Sequence, residues 1–218
     1  MKVVISIGGS VIASPKPNVN YIKNFSQLIK KLTTEGHDIK VVVGGGAIAR
    51  EYIQALRELG ASEDYCDKSG ILATRLNAML ISAAFGVYKD IPEDLNIKCS
   101  DIFIIGGIKP GQTTDAVSAE IAAKCKADLL INATNVDGIY DSDPRKNPSA
   151  IKLKEIKSEK LIELVEQVHK AGLSTIIDPV AAKIIHRNKI RTIVLDGRNL
   201  ESIEKAIKGE NHGGTLVS

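Results

Sequence analysis

Lys40-Val41-Val42-Val43-Gly44-Gly45-Gly46-Ala47-Ile48-Ala49-Arg50 is a β-branched apolar run that halts at three glycines and resumes with helical spacing. It reads as a strand, a turn and a helix start. Glycine has no Cβ, so the backbone of such a turn can lie close against a ligand, and amides opening at a helix N-terminus attract an anion. Taken alone, the triplet is either a phosphate cradle or a tight turn that binds nothing. A methyl at Gly45 is expected to obstruct anything crossing the cradle while leaving the fold intact.

Working outward, the same pattern recurs. Upstream, Val3 to Ile7 is an apolar run ending in Gly8-Gly9-Ser10, and Ser14-Pro15-Lys16-Pro17 excludes regular helix. Asn18 can cap a helix carrying Ile22, Phe25, Leu28, Ile29 and Leu32, stopped by Gly36. Downstream, Ile53, Leu56 and Leu59 carry the helix to Gly60, and a second helix runs from Ser62 through Leu72, Leu76, Leu80 and Ala84. Asp101 to Ile105 is a third strand, ending in Gly106-Gly107-Ile108-Lys109-Pro110-Gly111-Gln112-Thr113-Thr114-Asp115. A small-residue helix, Thr114 to Lys126, precedes the strand Asp128 to Ala133 and the turn Thr134-Asn135-Val136-Asp137-Gly138. Beyond Tyr140 a polar, proline-containing stretch opens the second half: an exposed strand Ile151 to Ile156, a helix after Ser158, a helix starting at Asp178-Pro179, a strand Arg191 to Leu195, a helix Asn199 to Lys208 and a last strand Gly214 to Val217. This βαβ alternation predicts an α/β fold with a mostly parallel sheet and a site along its carboxyl edge, where the glycine loops share one rim.

Composition narrows the classes. The 218 residues are 44% hydrophobic and 25% charged, which is enough to bury a core as one domain or two tightly joined lobes. Met1 to Ile7 is too short for a signal peptide and carries no cleavage site, and stretches such as Ala78 to Val87 fall short of a bilayer span. A net charge of +3, with 29 basic residues interleaved among 26 acidic ones, no Trp and 4% aromatics, argues against nucleic acid and for a small anionic ligand. Cys66, Cys99 and Cys125 are odd in number and widely spaced, so they read as reduced and structural. The four histidines show no metal or triad spacing.

Taken together, Gly-Gly-Ser after the first strand, Val-Val-Gly-Gly-Gly after the second, Pro-Gly-x-Thr-Thr-Asp, Thr-Asn-Val-Asp-Gly-x-Tyr, Asp-Pro and the terminal Gly-Thr-x-Val resemble the amino acid kinase superfamily, and within it the archaeal type of uridylate (UMP) kinases. The order and spacing of the motifs make the match specific, and it runs nearly end to end. The resemblance implies a three-layer αβα sandwich forming a single domain, with a UMP-binding lobe over about 1–126 and an ATP-binding lobe over about 127–218. It further implies a cytoplasmic enzyme of pyrimidine biosynthesis that uses ATP with Mg²⁺ and assembles as a homohexamer, a trimer of dimers. Other readings are kinases of acetylglutamate, carbamate, aspartate or isopentenyl phosphate, or a nucleotide-binding sensor or storage protein without turnover.

Residue by residue, the resemblance implies that Gly8, Gly9 and Ser10 lie against the ATP phosphates, and that Gly45 faces UMP while Gly46 faces ATP where the phosphoryl group crosses. Arg50 would reach a nucleotide phosphate, and Asp67 the ribose of UMP. Ile108, Lys109, Pro110, Gly111, Gln112, Thr113 and Thr114 would wrap the acceptor, and Asp115 would orient the groups around the phosphoryl. Thr134, Asn135, Tyr140 and Asp143 would hold the ATP. Many superfamily members carry a lysine two residues before the first glycine pair, where this chain has Ser6; Lys183 is the candidate replacement cation.

Overall fold

The computed structural model describes residues 1–218 apart from 97, 100–102, 143, 145–146 and 171–175, and apart from the side chains of 168–170. In chain order the elements are β1 (Lys2–Ile7), α1 (Gly9–Ile12), α2 (Val19–Thr34), β2 (Asp38–Val43), α3 (Gly46–Glu58), α4 (Glu63–Phe85), β3 (Ile104–Ile105), α5 (Thr114–Cys125), β4 (Leu129–Thr134), β5 (Glu155–Ile156), α6 (Ser158–Lys170), α7 (Pro179–Asn188), β6 (Thr192–Asp196), α8 (Leu200–Lys208) and β7 (Thr215–Val217).

The strands form one sheet in the order β3-β2-β1-β4-β6-β7-β5. From β3 to β6 every pairing is parallel, and β7 runs antiparallel to β6. Both faces are covered, as a parallel sheet requires. Val3, Ile5 and Ile7 of β1 pack with Phe25, Ile29 and Leu32 of α2 and Ile203 of α8 on one face. Val4, Val42, Leu130 and Val194 pack with Val117 and Ile121 of α5 and Ala181 and Ile185 of α7 on the other. The three-layer αβα arrangement expected from the sequence is therefore the one observed.

Connections from β1 lead to β2 on one side, and the chain later returns to place β4 on the other. Between β1 and β4 the winding reverses, the switch point at which sheets of this kind place a ligand crevice at the strands' carboxyl ends. Three amides lace these ends together: Gly44 to the Ile7 carbonyl at 2.9 Å, Gly8 to that of Ala133 at 2.8 Å and Gly197 to that of Thr134 at 2.7 Å.

Several elements depart in detail from the sequence expectation. Gly9 and Ser10 do not form an open loop but begin the single turn α1. The third strand is confined to Ile104–Ile105, although the Phe103 carbonyl still accepts from Val41 at 3.1 Å; Asp101 and Ile102 lie outside the described residues. Cys99 and Cys125, read as reduced, are joined in a disulfide with Cα atoms 5.3 Å apart, while Cys66 is free and buried. The loop after α4 folds back on the C-terminal end of α5, and nothing in the 26-residue separation announces that approach.

Candidate active site

The two glycine loops meet backbone to backbone. A Cβ built on Gly9 would lie 2.2 Å from the Gly46 nitrogen and 2.4 Å from the Gly44 oxygen, and Gly46 has φ +67°. The triplet is therefore glycine first because another chain segment lies against it. Gly45 precedes α3 with helical backbone and no side-chain cap, so the first amides of α3 have no partner supplied by its cap residue. Its own Cβ would fall 2.5 Å from the Ala49 Cβ, which corrects the expectation that a methyl there leaves the fold intact. Arg50, exposed on α3, reaches across the junction to donate from Nη2 to Ser10 Oγ at 3.3 Å.

Two polar side chains on the buried face of α4 hold the loops from below. Asn77 Nδ2 donates to the carbonyls of Gly44 (2.8 Å) and Gly45 (3.2 Å). Thr74 Oγ1 accepts the Gly107 amide at 2.6 Å. The sequence reading missed both; the available signal was a Thr and an Asn three residues apart on the helix face that also carries Ala73, Ala78 and Ile81.

The loop expected to wrap the acceptor follows β3. Ile108 is half-buried against the core, Lys109 is exposed, Pro110 is half-buried and the Gln112 backbone N–H donates to the Lys109 carbonyl at 3.3 Å. Gly111 takes φ +73° and its amide donates to Asp67 Oδ2 at 2.7 Å, so the structure joins two predicted acceptor residues 44 positions apart. Thr113 caps α5 by accepting the Ala116 amide at 3.1 Å, and Thr114 opens that helix. Asp115, next in line, receives the Ser6 hydroxyl at 3.3 Å. Asp115 is half-buried as a residue, but protein packs densely around its carboxyl. That burial, with the nearby Asp178 carboxylate, pushes it up to about 6 against the opposing pull of the Asp178 amide and the Ser6 hydroxyl. Asp178 itself caps α7, accepting from Val180 at 2.7 Å and Ala181 at 3.1 Å.

On the far side of the crevice, Thr134 and Asn135 end β4, and the Thr134 hydroxyl lies 3.4 Å from Asn135 Oδ1. Arg198, unforeseen from the sequence, donates to the Asn135 carbonyl at 3.2 Å while its Nε and Nη2 grip Asp196 at 2.8 Å each, holding that carboxyl below its usual range. Tyr140, half-exposed rather than core, donates to Asp137 at 3.0 Å, and Lys152 reaches the same carboxylate at 2.9 Å. Partial burial works against the Asp137 charge, yet Lys152 and Tyr140 hold its pKa below the ordinary value. The Thr215 hydroxyl of the terminal motif accepts the Ile139 amide at 2.8 Å and donates to Leu153, tying this turn to β7. Asp143 lies outside the described residues. Lys183 is not brought to the rim contacts: its side chain is 60% exposed and paired with Glu166 of α6 at 2.7 Å.

The profile of the amino acid kinase family matches residues 1–196. The chain belongs to this family. Among its curated relatives in the amino acid kinase fold, the uridylate kinase of Archaeoglobus fulgidus is 47% identical over 224 residues, covering all of both chains. That of Methanococcus aeolicus is 43% identical over 228 residues, again covering both in full. The crystal structure of the Archaeoglobus enzyme superposes with a TM-score of 0.87 over the whole of both chains.

Proposed function

We infer that the protein is an ATP-dependent UMP kinase, transferring the γ-phosphoryl group of ATP to UMP to give UDP and ADP. The observation that carries this reading is the full-length correspondence with curated uridylate kinases, with no part of either chain left over. The geometry supports it: an acceptor loop pinned to Asp67, a glycine junction at the crevice, and a nucleotide side lined by Thr134, Asn135 and Tyr140.

Phosphoryl transfer through a loose, in-line transition state needs positioning and charge stabilisation more than a protein nucleophile. The attacking oxygen of the UMP phosphate is ionised at neutral pH, so no general base is required. Gly8, Gly9, Ser10, Gly46 and Arg50 bind the ATP phosphates, and the resemblance assigns Asp143 to ATP as well. Gly45 and residues 108–114 bind UMP, Asp67 its ribose, and Asp115 orients the first turns of α5 and α7 about the reacting group. The amides and hydroxyls of the rim suit phosphate oxygens, and among the described residues no three His, Cys, Asp or Glu side chains converge. Mg²⁺ bound with ATP would supply further neutralisation of the phosphate charge. With Ser6 in place of the lysine and Lys183 engaged by Glu166, backbone amides and Arg50 carry more of the remaining neutralisation.

We further propose a homohexameric, cytoplasmic enzyme of pyrimidine nucleotide synthesis. Among the described residues no helix is long and apolar enough to cross a membrane. α3, its C-cap Leu59 and α4 present Tyr52, Leu59, Tyr65, Leu72, Leu76 and Met79 to solvent, an apolar surface of the kind that subunits cover.

Purified protein assayed for ADP with MgATP and UMP, CMP, AMP, acetylglutamate, carbamate or isopentenyl phosphate tests the reading. Turnover is expected with UMP above all others. ATP binding without ADP from any acceptor would instead identify a sensor.

A further inference from the structure

Asn77 and Thr74 stand one helical turn apart on the face of α4 turned toward the sheet, 1% and 7% exposed. A buried amide or hydroxyl is costly unless bonded, and an apolar residue at either position would serve the packing of α4 equally well. Both instead bond to the glycine loops. Two carbonyl neighbours, those of Gly44 and Gly45, decide the orientation of the Asn77 amide, since only its NH₂ group can donate to them. In a trans peptide the carbonyl and the following N–H point in opposite directions. Holding these two carbonyls toward α4 therefore turns the Gly45 and Gly46 amides away from it, at the open N-terminus of α3. Thr74 does the complementary job at the next strand end. Its hydroxyl is fixed by donation to Ile71 at 2.6 Å and accepts from Gly107, and a Cβ on Gly106 would lie only 2.5 Å from it.

We propose that Asn77 and Thr74 are separate positioning residues of the transfer site, Asn77 setting the amides where the phosphoryl group crosses and Thr74 seating the loop that binds the acceptor. This rests on the UMP kinase reading above. Misplaced amides at the crossing point weaken interactions made in the transition state, whereas a displaced acceptor loop weakens UMP binding; the two losses fall on different kinetic constants.

The test compares Asn77→Leu, Asn77→Ala, Thr74→Val and Thr74→Ser in the full-length assembled enzyme, by steady-state kinetics and by amide hydrogen exchange read by mass spectrometry. The Asn77 variants should lower kcat at least ~10-fold with the KM for UMP within about twofold, and speed exchange in residues 44–48. Thr74→Val should raise the KM for UMP about fivefold or more with kcat nearly unchanged and speed exchange in residues 106–109, and Thr74→Ser should restore both. Wild-type kinetics in Asn77→Leu and Thr74→Val, equal losses in both constants, or faster exchange spread through the whole chain would overturn the proposal. If the wild-type protein makes no UDP, the kinase reading fails by itself. The exchange arm then still decides, because unchanged protection at 44–48 in Asn77→Leu refutes the clamp whatever the enzyme's substrate.

Discussion

Asp115 holds its carboxyl where ionisation works against folding. Its carboxyl is raised above the 3.8 of the unfolded chain to about 6, by burial first and by the facing Asp178 carboxylate as well. The folded state therefore binds the proton more tightly than the unfolded one. The stability this contributes is fully present below about pH 4 and is lost as pH rises through about 6, so at pH 8 the ionised carboxyl costs at most about 3 kcal/mol. Asp115→Asn removes that cost while keeping an oxygen for the Ser6 hydroxyl. The variant should melt at a higher temperature than wild type at pH 8, with the difference vanishing near pH 4, while kcat falls ~100-fold and the KM for UMP hardly moves. Parallel thermal scans and steady-state kinetics check both halves; equal turnover removes Asp115 from the mechanism. Neither the raised proton affinity nor the Ser6 contact was legible in the sequence, where Asp115 looked like a first-turn acid with a motif around it. Ser6 and Asp115 are 109 residues apart and meet only because α5 packs against β1.

At the scale of elements, strand-glycine-helix units were readable because period-two and period-3.6 patterns are local and glycine punctuates them. What each glycine answers to was not. Gly9 and Gly46 are excluded from having side chains by one another's backbone, whereas Gly36, at φ +91°, has open space around its Cβ position. Gly9→Ala should then cost about 3 kcal/mol or prevent folding, because backbone has nowhere to retreat, and Gly36→Ala only about 1 kcal/mol of left-handed strain. Guanidinium denaturation midpoints measure the contrast, and similar losses at both positions would mean that the loops do not touch. The helix after Ser62 was recognised, but Leu72 and Leu76, which helped to mark it, lie 60% and 58% exposed. Its buried face belongs to Ala73, Thr74, Asn77, Ala78 and Ile81. Periodicity identifies a helix more readily than it says which neighbour each face meets.

For the whole molecule, that exposed face points to assembly. Tyr65, Leu72, Leu76 and Met79 follow one another at seven-, four- and three-residue spacing, a single stripe along α4, and α3 beside it buries only Ala49. Leu72→Glu combined with Leu76→Glu should split the proposed hexamer into smaller species by light scattering after size exclusion, and an unchanged mass would exonerate the stripe.

The sequence by itself determined the α/β class, the succession of strands with glycine-bearing ends, and the family, since each is written in local periodicity or in the order of short motifs. Only the tertiary structure decided the strand order, the packing of Gly9 on Gly46, the bond from Gly111 to Asp67, the Cys99–Cys125 pair, the engagement of Lys183 by Glu166 and the seat that Asn77 and Thr74 provide. All of these join residues that local pattern treats as unrelated. Which ones meet is set by how helices cover both faces of one sheet, a property of the packed chain and of no single segment.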